Sequence, residues 1–218
     1  MYYGLALKYL HTEVLKMLGV ASTYNGNAFG RYVRDVITKI RCNDFSVTKV
    51  KYVDIWFKYS DDMRQFITNY NLLIPVNGDK IIKKNDGFGA IQYVLRDMFG
   101  DNIVYVDIIV SSVLPVWDLS VNFLLYDFST NSLKCMNDYG LTKTLADIHN
   151  NRAILTNNGL SVLTNHNTDF TISDQIVKVN STTFAFRIEK FIRDGWTIQT
   201  NKGRKIIIKD GQIIIIDI

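Results

Sequence analysis

Proline and cysteine are scarce: the 218 residues hold two of each. So little proline excludes a collagen-like or proline-rich extended chain, and 47% hydrophobic against 21% charged residues excludes a disordered one. Cys42 and Cys135 stand alone, without C-x-x-C spacing or a histidine cluster. That excludes a disulfide framework and a structural zinc site and points to a reducing compartment. His149 and His166 have no companions at ligand spacing. There is no G-x-G-x-x-G, Walker A run, H-E-x-x-H or G-x-S-x-G. The opening MYYGLALKYLHTEVLKMLGV has no basic n-region and is interrupted by Lys8, His11, Glu13 and Lys16. Neither a signal peptide nor a spanning helix is expected, so the reading is a soluble, cytoplasmic protein with no membrane partner. A net charge of +4 is compatible with nucleotide or nucleic-acid binding without arguing for it.

What is present is a mixture of helical and strand periods. Leu7, Leu10, Val14, Leu15 and Leu18 predict a helix over residues 4–19 ending near Gly19. The turn-rich STYNGNAFG (22–30) precedes RYVRDVITKI, in which Val33, Val36, Ile37 and Ile40 predict a second helix; loop and helix start together make an anion-binding geometry. KYVDIWFK (51–58) alternates, with Val53, Ile55 and Phe57 on one face and Tyr52, Asp54 and Trp56 on the other. Ser60, Asp61 and Asp62 open a helix over 61–70. LLIPV (72–76) reads as a strand, FGAIQYVLRDMFG (88–100) as a helix stopped by Gly100, and NIVYVDIIVSS (102–112) as a strand. Asp118 caps a short helix through Leu125, YDFSTNSLKCM is a hairpin turning at 129–132, and TKTLADI (142–148) a brief helix. RAILT (152–156) is a strand and NNGLSVLTNHNTDFTISDQ mostly loop. A helix from Ser181 or Thr182 to Gly195 aligns Phe184, Ile188, Phe191 and Ile192, and RKIIIKDGQIIIIDI is a hairpin around Asp210-Gly211. Helices and strands interleave without regular β-α-β alternation, which predicts an α+β fold with a mixed or antiparallel sheet flanked by helices.

Asp54 poses a physical problem: a carboxylate among Val53, Ile55, Trp56 and Phe57 costs several kcal/mol unless a partner, a cation or solvent compensates it. A salt bridge to Arg34 is one solution, and cation binding is another.

Four stretches in order resemble the head and neck of class II nucleotidyltransferases, the bacterial poly(A) polymerases and CCA-adding enzymes of the DNA polymerase beta superfamily. GRYVRDVI (30–37) resembles G-G-x-V-R-D-x-L, and YVDIWF (52–57) the D-x-D strand. WDLSVNFLLYDFSTNSLKCMNDYGLTKTLADIHNNRAI (117–154) resembles R-D-F-T-x-N-A-L-x-Y-D and the hairpin, turn, helix and strand after it. FRIEKFIRDGWTI (186–198) resembles the arginine-bearing neck helix. The resemblance covers roughly residues 24–198. It implies a polymerase-beta-like head over 1–156, then a neck-like helix and β-hairpin over 157–218, binding a nucleoside triphosphate with magnesium. The DIWF form resembles proteins of large DNA viruses, which would place the chain in host cytoplasm.

By that resemblance Asp54 is catalytic and a metal ligand, Asp118 shares both roles, and Asp107 is a further metal ligand. Gly30, Arg31 and Arg34 face phosphates, while Asn122, Arg187 and Lys190 contact nucleotide, with Arg193 continuing their face. Nucleotidyl transfer uses two divalent ions, and two acids at i and i+2 of a strand point the same way to hold them. Here Tyr52 replaces the first aspartate; a competing match keeps Asp44 and replaces the second by Ser46. Arg31 stands where the family has its second glycine, and Trp117 where it has arginine. Plainer roles stand beside these: Asp118 as an N-cap, Asn122 as a cap or hairpin residue, Arg34 and Asp35 as a local pair, Arg187 and Lys190 as a solvated basic stripe, and Phe184, Phe191 and Trp196 as core. The expected function is magnesium-dependent transfer of a nucleoside monophosphate from a triphosphate to RNA or another hydroxyl. The alternative is a degenerate nucleotidyltransferase fold that binds nucleotide, RNA or protein.

Overall fold

A computed structural model describes residues 12–41, 52–70, 90–96, 103–112, 118–136, 139–157, 159, 176–177, 182–209 and 212–216. The architecture is α+β, with two mixed sheets flanked by helices. Contacts divide the chain into two units, one of residues 1–115 and 124–138, the other of 116–123 and 139–218. Strand 152–155 pairs with strand 197–200 within the second of these units.

In the first unit, helix α1 (Thr12–Thr23) leads to strand β1 (Asn27–Phe29), helix α2 (Gly30–Arg41), strand β2 (Tyr52–Phe57) and helix α3 (Ser60–Tyr70). Strands β3 (Ala90–Arg96), β4 (Ile103–Val110), β5 (Leu124–Asp127) and β6 (Ser132–Cys135) complete it. The sheet order is β3-β4-β2-β1-β5-β6, with β2 and β4 parallel and the other neighbours antiparallel. Alternation in β2 is realised as expected: Val53, Ile55 and Phe57 are each 0% exposed, while Tyr52, Asp54 and Trp56 occupy the opposite face. Val104, Val106 and Ile108 of β4 extend the buried face. Phe57 and Phe66 of α3 meet there at 5.3 Å between ring centroids. Gly26 is needed beneath this cluster, since a Cβ at that position would lie 2.6 Å from the Phe57 ring.

Two expectations are corrected in this unit. The first helix runs past Gly19 to Thr23, because Ala21 continues the buried stripe of Val14, Met17 and Leu18. Residues 90–96, read as helical, form β3, zipped to β4 through seven register pairs from Ala90↔Ile109 to Arg96↔Ile103. The apolar residues there fit either period, and non-local pairing decides. The strand predicted at 72–76 and the Asp44/Ser46 match lie outside the described residues.

In the second unit, a 3₁₀ turn (Ser120–Asn122) precedes helix α4 (Leu141–His149), strand β7 (Arg152–Leu155), strand β8 (Ile176–Val177) and helix α5 (Thr182–Arg193). Strands β9 (Thr197–Thr200), β10 (Lys205–Lys209) and β11 (Gln212–Ile216) follow, in the order β7-β9-β10-β11-β8. The expected C-terminal hairpin is present, in register from Lys205↔Ile216 to Lys209↔Gln212. Ile188 and Phe191 bury one side of α5, as predicted, and Gly195 ends it with φ +84°. The expected helix from Asp118 through Leu125 is corrected. Only the 3₁₀ turn forms, with Leu119 at its N-cap position, and residues 124–127 are strand. Leu119 is held in an extended conformation by its bridge to Leu155, which leaves Asp118 outside the capping position.

Candidate functional site

In the first unit the sheet itself brings two carboxylates together. Asp54 of β2 and Asp107 of β4 are register partners on adjacent parallel strands, so both side chains leave the same face about 5 Å apart at the backbone. Both are half-buried. Phe29 flanks Asp54 on the other side as its partner in β1. The chain then turns at Gly30, whose φ of +66° suits glycine, and α2 begins. A Cβ at Gly30 would lie 3.4 Å from Asp54 Oδ2, so the start of α2 passes directly over that carboxylate. Backbone N–H groups at a helix start attract negative oxygens, whether those of the aspartate or of a phosphate.

The first residues of α2 carry cations. Arg31 is exposed, lies with its guanidinium carbon 5.1 Å from the Tyr52 ring centroid, and pairs with Asp35 at 3.5 Å. Arg34 is buried and donates from Nε and Nη2 to the same Asp35 carboxylate. The local Arg34–Asp35 pair weighed from the sequence is therefore present. Asp35 serves two arginines, so this triplet carries one net positive formal charge.

Asp118, Asn122, Arg187 and Lys190 belong to the second unit. Asp118 is 7% exposed, and its carboxylate accepts from Arg187 Nη1 and from Asn122 Nδ2, the latter at 3.5 Å. Its backbone oxygen accepts from Thr156 N at 2.9 Å. Arg187, expected to face nucleotide, thus meets Asp118, and Lys190 meets Asp194, just past the end of α5, at 2.6 Å. Arg193 pairs with Glu189 at 3.0 Å.

Sequence reasoning missed a second buried acid here. Asp147 of α4 is 0% exposed and accepts from Tyr139 Oη at 2.7 Å and from Arg152 Nε at 2.6 Å. Burial first, then the Asp147 bond, pushes the Tyr139 hydroxyl up to about 12. A polar residue on the inner side of the short amphipathic helix 142–148 was the available signal.

Comparison with protein-family models, curated proteins and solved structures found no match.

The donor set therefore stands on its own chemistry. Among the described residues no group of three or more His, Cys, Asp or Glu gathers that could hold a metal. Two aspartates side by side offer carboxylate oxygens, the donor type a hard divalent cation takes. A carboxylate bridging a second ion is not among the strand neighbours of that pair. No helix among the described residues is long and apolar enough to cross a membrane.

Proposed function

We propose that the chain is a nucleotidyltransferase-like protein of polymerase-beta type that binds a nucleoside triphosphate at the face carrying Asp54 and Asp107. The observation that carries this reading is the register pair Asp54↔Asp107 beneath the start of α2. The mixed sheet backed by helices agrees with the fold the sequence resemblance implies.

Asp54 and Asp107 would hold a magnesium ion, which supplies charge neutralisation and orientation of the triphosphate. Gly30 lets the backbone approach closely, and the N–H groups after it would face phosphate oxygens. Arg31 adds an exposed guanidinium at the same helix start. The reaction suited to such a site is transfer of a nucleoside monophosphate to RNA or another hydroxyl. A second reading, a binding module without turnover, is favoured by one observation: Tyr52, stacked on Tyr105, stands where the sequence pattern calls for another carboxylate.

Incubation with magnesium, RNA and each of the four α-labelled triphosphates tests both. Incorporation lost in Asp54→Asn and Asp107→Asn supports the transferase. Magnesium-dependent triphosphate binding without incorporation supports the module, and neither binding nor incorporation removes both.

A further inference from the structure

Helix α1 ends in a closure that fixes two successive residues for different reasons. The Ala21 backbone oxygen accepts from Tyr24 N at 3.0 Å and Gly26 N at 2.8 Å, and that of Ser22 accepts from Asn25 N at 3.1 Å. This is the Schellman arrangement, whose turning residue takes a left-handed backbone. Asn25 is that residue, with φ +58°, and asparagine is among the few residues besides glycine that visit this region readily. Gly26 lies beneath Phe57, where a Cβ would strike the ring. Backbone geometry and packing thus select the dipeptide Asn25-Gly26, with the asparagine exposed and the glycine buried.

Asparagine before glycine is a labile pair, because no side chain on the glycine hinders its amide nitrogen from reaching the asparagine Cγ. When it does, an N–Cγ bond forms, the Cγ–Nδ2 bond breaks, and ammonia leaves carrying the amide proton. Water then opens the succinimide ring at either carbonyl, leaving an aspartate, or an isoaspartate whose main chain is longer by a methylene. The net exchange is water for ammonia, with no oxidant or reductant.

In the folded chain both reacting groups are engaged. Gly26 N is buried and donates to Ala21, while Asn25 Nδ2 donates to Oδ2 of Asp62, in the first turn of α3, at 3.2 Å. The Asn25 backbone oxygen accepts from Asn27 Nδ2 at 3.0 Å, which holds the intervening peptide. Cyclisation requires the closure to open first, a local event at a helix end. The product does not close in the same way: an aspartate at position 25 sets a second carboxylate against Asp62, and an isoaspartate lengthens the turn.

We infer that Asn25 is a latent deamidation site, held unreacted by the α1 closure and the Asp62 contact, and that its conversion irreversibly loosens the join between α1 and α3.

Peptide mapping by mass spectrometry, on the full chain incubated at mildly alkaline pH in buffer and in urea, tests it. Conversion of Asn25 should be slower in buffer by roughly tenfold or more, the protection that closed local structure gives. Equal rates overturn the lock, and no conversion of Asn25 in urea overturns the site. Asp62→Ala should speed conversion in buffer about fivefold, the population change for one lost hydrogen bond; an unchanged rate overturns the role of Asp62. Asn25→Asp should lower the urea midpoint, and adding Asp62→Asn should recover most of the loss. A midpoint equal to that of the wild type overturns the loosening. The wild-type comparison needs no variant and decides the matter even where a substitution impairs folding.

Discussion

The two units treat their carboxylates in opposite ways. Among the described residues of the C-terminal unit both buried acids meet an arginine: Asp147 accepts from Arg152 and Tyr139, and Asp118 from Arg187 and Asn122. In the N-terminal unit Asp54 and Asp107 are set against each other by strand register, on a half-buried face under a helix start. A neutralised acid tightens a fold. Two carboxylates in register repel, and that repulsion is offset by whatever donors and cations surround them. The printed contacts thus place Asp118 and Asp147 in arginine pairs and Asp54 and Asp107 side by side on one sheet face.

The sharpest way to break that contrast is to remove an arginine from the C-terminal unit. Arg152→Leu strands the fully buried Asp147 charge and should cost about 3 kcal/mol, read as a lowered urea midpoint. Arg187→Ala should cost less, about 1.5 kcal/mol, because Asn122 still donates to Asp118 and the guanidinium is partly exposed. In the N-terminal unit, magnesium at ten times its dissociation constant should stabilise the protein by about 1.4 kcal/mol. A thermal midpoint that magnesium raises in the wild type and leaves unmoved in Asp107→Asn is the expected result.

Smallest is Tyr139→Phe, worth about 1 kcal/mol near neutral pH for the lost bond to Asp147. Its hydroxyl is held above the ordinary value near 10, so its contribution is complete below pH 10 and lost as pH rises through about 12. Burial also raises Tyr32, Tyr93 and Tyr126, so the wild type loses stability as pH rises above 10. The variant should lose less between pH 10 and 12, measured by denaturant midpoints at each pH.

How far the sequence could be read depended on whether the deciding contact was local. The period-two pattern of 52–57 told which face Asp54 would leave, and Asp-Gly between two isoleucine runs told of the last hairpin. Both are fixed by residues near in sequence. By contrast, 90–96 became a strand through β4, which no local period revealed. The partner of Asp54 is 53 residues away, reached by a parallel connection, so Asp107 and Asp118 looked equally eligible from the sequence. The aromatic stack was equally hidden, since Tyr105 acquires meaning only as the register partner of Tyr52. Arg187 was misleading in another way: an arginine on an amphipathic helix looks solvated until the buried acid it meets is placed.

Anomalous diffraction at the manganese edge, from crystals grown with Mn2+ and a non-hydrolysable triphosphate, tests the central claim most directly. The account predicts a strong peak bonded to carboxylate oxygens of both Asp54 and Asp107. A peak elsewhere on the chain, or triphosphate bound with no manganese touching either aspartate, would contradict it.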